Sequence, residues 1–490
     1  MLVVGKFIRK YSFEIALLIG TLIYYLFFIN KNLVTFDEGY FVHSAERILK
    51  GEIPYKDFSL QYGPVYFYLL AIFYKIFGTF IITGRFLNLT FCLLIIGSLL
   101  YILNLLKIKS KKVILLVLLS AVSFGFPLIN IPNIMWPTVL ISILLIISSI
   151  LFFQTKNTRY LFLLGILIAL LFSLKQNFAV VYLIFYNLAF FIKERKNIKV
   201  LFKELFIINL TWGFLTFSWI YYFFLRDNLQ GFIDYINFSK NFISSYAFSY
   251  PPITNIFKPF GFFKLIPYYL PVVVLVVTLI LGFNNKRAWE VILFSLSSSL
   301  GFFIAIYPQS DLLHVFPFFG LILVSLILMF YKERVFKYII FLVLLSSAIG
   351  FYLTFFQNIY ENHYLKDNTS IFLEKAKGIL VEQPQATTIE SINEFLNKNT
   401  AKNDYVLFYP YHPLFYFIFE RKNPSKDPTY YVRAWRFYDD DVIISEIKQK
   451  KTKYIITYGP YDFDTKLSDF IISQKKVSSF GSVVIFKIQY

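Results

Sequence analysis

The sequence of 490 residues is poor in cysteine, with Cys92 as its one example, and it has only four histidines. A single cysteine excludes a disulfide within the chain and any metal site built from several cysteines, so it says nothing about the redox compartment. Charge is also scarce, because Asp, Glu, Lys and Arg make up 16% of the chain. Together with a hydrophobic content of 57%, that scarcity excludes an ordinary soluble protein of this length.

Long apolar runs fill most of the chain, and a helix needs about 20 apolar residues to cross a bilayer. The sequence therefore predicts an α-helical polytopic membrane protein with about eleven transmembrane helices. The predicted spans are 11–29, 81–104, 113–129, 134–153, 160–174, 177–192, 204–225, 265–283, 289–306, 313–331 and 337–356. The two spans that meet at Lys175 are short. A single broken helix there stays open as an alternative that would reverse the orientation of all later segments.

The formal net charge of +19 raises the question of a nucleic-acid partner. No compact basic groove with interleaved aromatic residues occurs, so no nucleic acid is expected. The excess Lys and Arg lie in alternate short loops, where membrane proteins keep their cytoplasmic positive charge. These loops are 107–112, 156–159, 193–203, 284–287 and 332–337. The alternation predicts a multi-pass plasma-membrane protein with a cytoplasmic N-terminus. The loops predicted to lie outside are 35–64, 130–132, 175–177, 226–264 and 307–314.

Residues 357–490 differ in composition from the preceding chain: Lys, Asp, Glu and Asn become frequent, and no further span follows. An odd number of spans places this part outside. Helical and strand patterns alternate along it, which predicts a small α/β domain of roughly 100–130 residues. The predicted helices are 388–399, 442–450 and 467–473, and the predicted strands are 405–409, 454–457 and 483–488. The motif YPYHP at 409–413 could line a ligand surface, but an ordinary turn is the favoured interpretation.

The polar interval 35–64 after the first span contains the adjacent carboxylates Asp37 and Glu38. Thr35-x-x-Glu38 fits a capping box, and residues 39–49 have the amphipathic pattern of a helix that could lie on the membrane surface. One carboxylate suffices for a cap, so the second needs its own reason. A carboxylate at this place can act as a general base toward an acceptor hydroxyl, or it can hold a divalent cation.

Three motifs resemble those of the GT-C glycosyltransferases: the acid pair directly after the first helix, GEIPYKDF at 51–58 and QYGPVYFYLL at 61–70. The branch with the protein O-mannosyltransferases and the aminoarabinose lipid A transferases is the most similar. The resemblance implies a transmembrane GT-C catalytic domain over residues 1–356, with its first outer loop at 30–80. It also implies an extracytoplasmic α/β domain over residues 357–490.

This resemblance implies transfer of a sugar from a polyprenyl-phosphate-linked donor to a lipid, glycan or protein acceptor on the outer face, with inversion. Asp37 then corresponds to the general base, and Glu38 to a neighbour that orients the acceptor or an ion. The partners are the donor, the acceptor and membrane lipids. A divalent cation, Mg or Mn, stays open as a cofactor, with Asp37 and Asp57 as its candidate ligands.

Cations at the membrane surface would stabilise the charge that develops on the leaving phosphate. The candidates for donor-phosphate binding are Lys56, Arg85, Lys175 and His314. For Lys175 the alternative is a lysine that merely extends its amine to water. The candidates for acceptor or sugar binding are Asp57, Tyr62, Tyr66 and Asp311, although tyrosines near a membrane often form an interfacial belt. A pair such as Asp311 and His314 is not a zinc site, which requires three protein ligands.

Three other function classes compete with sugar transfer, and one of them is a structural or sensory protein that binds a partner through its outer domain. A flippase for lipid-linked sugars predicts charged residues near the middle of spans, whereas the acids here concentrate in an outer loop. A lipid-linked glycan polymerase or ligase of the cell envelope is a second alternative. Such enzymes place their signature arginines and histidine in a large late loop, while the strongest cluster of this chain lies in the first loop.

Overall fold

The computed structural model describes residues 11–123, 132–245, 250–283, 288–307, 312–333, 368–410, 412–427, 438–458 and 465–490, together with residues 338, 345 and 349. The helices of its first part are α1 (Ser12–Phe28), α2 (Asp37–Leu49), α3 (Val65–Phe77), α4 (Ile81–Leu105), α5 (Lys111–Ser123), α6 (Met135–Thr155), α7 (Arg159–Leu174), α8 (Gln176–Glu194), α9 (Ile198–Leu225), α10 (Leu229–Ser245), α11 (Gly261–Phe283), α12 (Trp289–Ala305) and α13 (Leu312–Phe330).

Ten of these helices correspond to predicted spans: α1, α4 to α9 and α11 to α13. The eleventh predicted span, 337–356, lies outside the described residues apart from 338, 345 and 349. By length and composition, α4, α6, α8, α9 and most of α11 can each cross a bilayer. The predicted multi-pass membrane protein is thereby confirmed.

The helices differ in how much protein surrounds them. Along the most apolar stretch of α6, 83% of the residues are buried, and α6 contacts α4, α7, α12 and α13. The corresponding value for α9 is 22%, and α9 exposes large side chains such as Phe202, Phe214 and Phe217. A helix that is apolar all round is stable at either place, because lipid solvates its outer face. We therefore assign α6 to the centre of the bundle and α9 to its lipid-facing edge.

The chain reverses direction at Lys175. Its φ and ψ of −150° and 101° are extended, so α7 ends at Leu174 and α8 begins at Gln176. The far ends of the two helices are close, because the Lys156 amine before α7 lies 2.5 Å from the Glu194 carboxylate at the end of α8. Two antiparallel helices are thus present, and the alternative of a single broken helix is wrong.

Contacts near the ends of the helices show which loops lie together at each end of the bundle. At one end, the Lys111 amine lies 5.6 Å from the Phe13 ring, and the Lys193 amine lies 5.5 Å from the Trp289 ring. These contacts bring the beginning of α1 and the predicted basic loops to one end, as the charge alternation requires. Which end faces the cytoplasm stays a prediction.

The opposite end gathers the first loop and the later loops predicted to accompany it. The Gly63 amide donates to the Leu174 carbonyl at the turn between α7 and α8, with 2.9 Å between N and O. Asn228, between α9 and α10, donates its side-chain amide to the Pro54 carbonyl at 3.0 Å. The acidic first loop therefore lies at the end of the bundle away from the basic loops.

The C-terminal part forms a four-stranded sheet with helices around it. Its elements are β1 (Thr369–Ser370), β2 (Leu380–Val381), α14 (Gln383–Asn399), β3 (Val406–Tyr409), α15 (Pro413–Phe419), α16 (Asp440–Gln449), β4 (Tyr454–Tyr458), α17 (Lys466–Ile472), β5 (Lys475–Phe480) and β6 (Val483–Lys487). The strand order is β3-β4-β6-β5, with β3 parallel to β4 and the other two pairs antiparallel. The predicted α/β class is confirmed, while the predicted boundary at 356/357 falls outside the described residues.

Candidate functional site

Helix α2 carries the acid pair and is enclosed on both sides. Its residues from Glu38 to Arg47 are all buried, polar ones included, because α3 packs on one side and α15 of the C-terminal part on the other. A helix resting on a bilayer surface would keep its polar face in water. The predicted helix is therefore present, but its position on the membrane surface is not the one observed.

Glu38 and Arg85 form a bidentate ion pair in which neither side chain is exposed. The Arg85 Nε donates to Glu38 Oε1 at 2.7 Å, and Nη2 donates to Oε2 at 2.8 Å. The remaining bonds go to backbone carbonyls, with Nη1 donating to Ile29 and Lys31 at 2.9 Å and Nη2 to Asn32 at 2.8 Å. A guanidinium has five N–H donors, and these five bonds use all of them.

This network opposes two expectations from the sequence. A phosphate ligand needs guanidinium donors that Arg85 already gives to Glu38 and to three carbonyls, so the geometry does not support the predicted phosphate contact. Glu38 is equally committed and is fully buried, which leaves it unsuited to meet an acceptor. Burial raises the pKa of Glu38, while the charge of Arg85 acts in the opposite direction.

The capping box predicted for Thr35 and Glu38 does not form. The residue before α2 is Phe36, and no side chain caps the helix there. Glu38 turns to Arg85 instead, and the Thr35 hydroxyl lies 3.1 Å from Nδ1 of His412. The motif was misleading because an arginine 47 residues away offers the carboxylate stronger, charge-assisted bonds.

Asp37 is the first residue of α2 and is half-buried, unlike its neighbour. It stands where the helix presents its backbone N–H groups, which favours a negative charge. The residues on both sides of Asp37 are held in place, by His412 at Thr35 and by Arg85 at Glu38. Of the two acids, Asp37 alone combines partial exposure with a fixed backbone.

The C-terminal part meets the same segment a second time. The backbone N–H of Asn32 donates to the Leu380 carbonyl at 2.9 Å, and the backbone N–H of Leu380 donates to the Asn30 carbonyl at 2.8 Å. Strand β2 thus extends along the residues that also receive the Arg85 guanidinium. The segment 29–38 is consequently fixed from the helical bundle and from the C-terminal part at once.

The two predicted lysines lie at the same end of the bundle as Asp37. Lys56 is exposed, and its amine is 3.4 Å from the Arg226 carbonyl. Lys175 is half-buried at the α7–α8 turn, with its amine 4.0 Å from the Met135 sulfur and 5.4 Å from the centre of the Phe178 ring. A lysine at the apolar end of two helices is consistent with either phosphate binding or contact with water.

Asp57 and the two tyrosines mainly build the loop. The Asp57 carboxylate accepts a 2.7 Å bond from the Ile53 amide, which closes a tight turn. Tyr66 is fully buried and its hydroxyl is 3.2 Å from Asn88 Oδ1, so it does not face a substrate. Tyr62 is half-buried and stacks on Phe41 with 5.9 Å between ring centres. Of these three residues, Tyr62 is the best placed to contact a sugar.

The pair predicted in the late loop is only partly described. His314 is half-buried in the first turn of α13. Asp311 lies outside the described residues, so its predicted contact with the acceptor stays untested. Within the described ranges, no group of three or more His, Cys, Asp or Glu side chains could hold a metal ion. The cation predicted at Asp37 and Asp57 stays a prediction, and the turn bond of Asp57 competes with it.

Sequence reasoning missed a charge cluster that joins α2 to the C-terminal part. The Lys375 amine is paired with Glu46, and Lys50 lies 3.0 Å from the same carboxylate oxygen. His43 Nδ1 is 3.8 Å from the other oxygen. Burial would raise the pKa of Glu46, but the neighbouring His43 and the charges of Lys375 and Lys50 outweigh burial and lower it to about 2. No spacing in the sequence connects Glu46 to Lys375, 329 residues away.

The loop 226–264, which the sequence left without specific residues, contains a cleft of about 250 Å³. Its lining includes Lys258, Lys264 and Tyr268. Both lysines are exposed, and large apolar side chains such as Phe257 and Phe260 are exposed beside them. Exposed aromatic residues next to lysines are typical of the bilayer interface.

Solved structures of other proteins have the same fold as this chain. No family model matches this chain, and no curated protein does. ArnT from Cupriavidus metallidurans bound to undecaprenyl phosphate matches with a TM-score of 0.54 and 10% identity, over 97% of this chain and 98% of that one. The same protein in the apo state matches with a TM-score of 0.53 and 10% identity, over 99% and 98%. The chain shares the fold of ArnT.

Because the match to ArnT spans nearly all of both chains, it includes the C-terminal part as well as the helical bundle. The fold predicted from the first-loop motifs is thereby confirmed. The oligosaccharyltransferase of Archaeoglobus fulgidus in complex with Zn and sulfate also matches, with a TM-score of 0.48 and 12% identity, over 86% of this chain and 64% of that one.

Proposed function

We propose that this chain is a membrane glycosyltransferase that transfers a sugar from a polyprenyl-phosphate-linked donor to an acceptor hydroxyl, with inversion and with Asp37 as general base. One observation carries the proposal. On an ArnT-like fold, Asp37 is a half-buried carboxylate whose chain neighbours are fixed by Arg85 from the bundle and by His412 from the C-terminal part. A general base must be held within hydrogen-bonding reach of the proton it takes.

The different surroundings of the two acids support different functions. Glu38 gives both carboxylate oxygens to Arg85, so it is a structural anchor. Asp37, at the beginning of α2, is half-buried, so part of the residue is exposed. The resemblance made Asp37 the general base and Glu38 a neighbour that orients the acceptor or an ion. The geometry instead favours Asp37 as the reactive carboxylate and Glu38 as the residue that holds the helix start in position.

The reaction needs one proton transfer and one displacement. The acceptor oxygen attacks the anomeric carbon of the donor sugar while Asp37 takes the hydroxyl proton. The bond between that carbon and the phosphate oxygen breaks, and its electrons leave with the polyprenyl phosphate. Attack from the side opposite the leaving group inverts the anomeric configuration. Cations placed near the leaving oxygen stabilise its growing charge.

Lys175 and Lys56 are the proposed phosphate ligands, and Arg85 is not. Both amines lie at the end of the bundle that also carries Asp37, beside helices whose apolar sides can accommodate a polyprenyl tail. ArnT has been seen with undecaprenyl phosphate bound, which supports a carrier of this class. The outward orientation of this end is part of the proposal and rests on the basic loops at the other end.

The test is a donor panel. Purified protein in proteoliposomes is incubated with radiolabelled polyprenyl-phosphate sugars or with nucleotide sugars, each with lipid, glycan and peptide acceptors. We expect label to move from at least one polyprenyl-phosphate sugar, to give a product of inverted anomeric configuration, and to remain on every nucleotide sugar. Transfer from nucleotide sugars alone, or from no donor to any acceptor, would overturn the proposal.

A further inference from the structure

We infer that His412, in the C-terminal part, is a positioning residue for Asp37, so that the C-terminal part completes the site instead of merely covering it. The inference rests on the proposed function of Asp37 for its catalytic consequence. Its structural basis is independent of that function, because His412 contacts the two residues that precede Asp37.

The hydrogen bonds of His412 determine its tautomer. Nε2 lies 2.7 Å from the Tyr458 carbonyl, which can only accept, so Nε2 carries the proton. Nδ1 is then an acceptor in the neutral ring, and the Thr35 hydroxyl at 3.1 Å donates to it. The chain of bonds thus runs from Thr35 through the imidazole to strand β4. A neutral, buried histidine with both nitrogens bonded is a rigid connector.

Further contacts hold the residues that precede and follow Asp37 in the chain. The Phe36 ring packs on the His412 ring with 5.1 Å between centres. The Leu414 amide donates to the Thr35 carbonyl at 3.3 Å. On the other side, a Cβ at Gly39 would stand 2.1 Å from the Leu414 nitrogen, so the backbones touch there. Residues 35, 36 and 39 are therefore all fixed by residues 412 and 414.

The arrangement has the properties expected of a positioning device. Arg85 holds Glu38 on one side of the segment 33–37 and the carbonyl of Asn32 on the other. His412 holds the middle of this segment, because one ring nitrogen bonds Thr35 and the other bonds the Tyr458 carbonyl of strand β4. Misplacement of a reacting group by about 1 Å can slow a reaction on the order of 100-fold.

The experiment compares two threonines that each lose one buried hydroxyl bond. Thr35→Val removes the donor to His412, whereas Thr452→Val removes a 2.9 Å bond to the Ile447 carbonyl inside the C-terminal part. Thr35→Ser restores the hydroxyl, and His412→Phe removes both imidazole bonds but keeps the ring. Two quantities are measured on the full chain in proteoliposomes: kcat and KM for the donor, and amide hydrogen exchange of residues 33–40.

We expect Thr35→Val and His412→Phe to lower kcat by roughly 10- to 100-fold with an unchanged KM, and to speed exchange in residues 33–40. Thr35→Ser should recover most of kcat, and Thr452→Val should match the wild type in both quantities. Equal effects of Thr35→Val and Thr452→Val, or a change in KM alone, would overturn the inference. If the wild type transfers no sugar, the proposed function fails, while unchanged exchange in Thr35→Val and His412→Phe would separately refute the positioning by His412.

Discussion

Arg85 of α4 and Glu38 of α2 are joined by two parallel hydrogen bonds of 2.7 and 2.8 Å, and neither side chain reaches solvent. Two charges removed from water are stabilised only when geometry and additional bonds are favourable, and three backbone carbonyls supply those bonds here. The pair connects the beginning of α2 to a helix of the bundle. On this side, the pair therefore holds the backbone next to Asp37, while His412 holds the residues that precede it.

Removing one partner of this pair should lower the unfolding temperature of the protein. Arg85→Met leaves the Glu38 carboxylate buried and uncompensated, and we expect a loss of about 3–5 kcal/mol in the free energy of unfolding. Thermal unfolding in detergent measures the loss. The control is Lys466→Met, which breaks an exposed pair with Asp441 and should leave the unfolding temperature nearly unchanged, because exposed ion pairs contribute little to stability. Equal stability of the Arg85 and Lys466 variants would refute the anchor.

Gly39 permits the close approach between α2 and α15. A methyl group there would meet the Leu414 backbone at 2.1 Å, so Gly39→Ala should displace the C-terminal part and destabilise the protein by about 1–3 kcal/mol. Gly97→Ala is the matched control, because Gly97 also lies inside a helix and a Cβ there meets nothing within 4 Å. That variant should be neutral or slightly more stable. Thermal unfolding of the two side by side decides the matter, and a neutral Gly39→Ala would contradict the observed contact.

Acid should weaken the contact between α2 and the C-terminal part through His412. Burial lowers the pKa of His412 from 6.5 to about 4, although its bond to the Tyr458 carbonyl acts in the opposite direction. The open form takes up a proton below pH 6.5, and the closed form does so only near pH 4. Stability is therefore complete above pH 6.5 and falls by about 3 kcal/mol as the pH drops to 4, at 1.36 kcal/mol per pKa unit.

Hydrogen exchange of residues 33–40 between pH 4 and 7, corrected for intrinsic rates, measures this dependence. The groups that face the imidazole are Thr35, Phe36, Phe415 and Tyr458, and burial raises the pKa of Tyr458, so that residue stays neutral in this range. His412→Asn should flatten the profile, because an amide does not titrate. A wild-type profile as flat as that of His412→Asn would show that His412 does not control the contact.

The sequence predicted those parts of the structure that follow from local apolar patterns. The ten described spans were recognisable as long apolar runs, and α2 and six of the C-terminal elements as segments whose apolar residues recur at helical or strand spacing. Strand β5 was missed because Lys475–Phe480 is mostly exposed and carries no apolar alternation. Helix α15 was not predicted, since seven consecutive apolar or aromatic residues have no helical period.

For the candidate site, the sequence predicted individual residues but not their contacts. Asp37 was identified by its place after the first span and by the resemblance of its loop, both of which are local signals. Arg85 was identified as a cation but given a different function, because the partner of a charged residue depends on contacts across the fold. The bond between Thr35 and His412 joins residues 377 positions apart. Nothing in the spacing of a single sequence reports such a pair.

Asp37 is the central residue of the proposed function, and the decisive measurement is the single-turnover rate of sugar transfer by Asp37→Asn in proteoliposomes, with donor binding measured in parallel. Loss of a general base should slow transfer by about 10²- to 10⁴-fold, while donor affinity and thermal stability stay at wild-type values. Asp441→Asn, which changes an exposed carboxylate of the C-terminal part, should transfer at the wild-type rate. Wild-type turnover by Asp37→Asn would contradict the account.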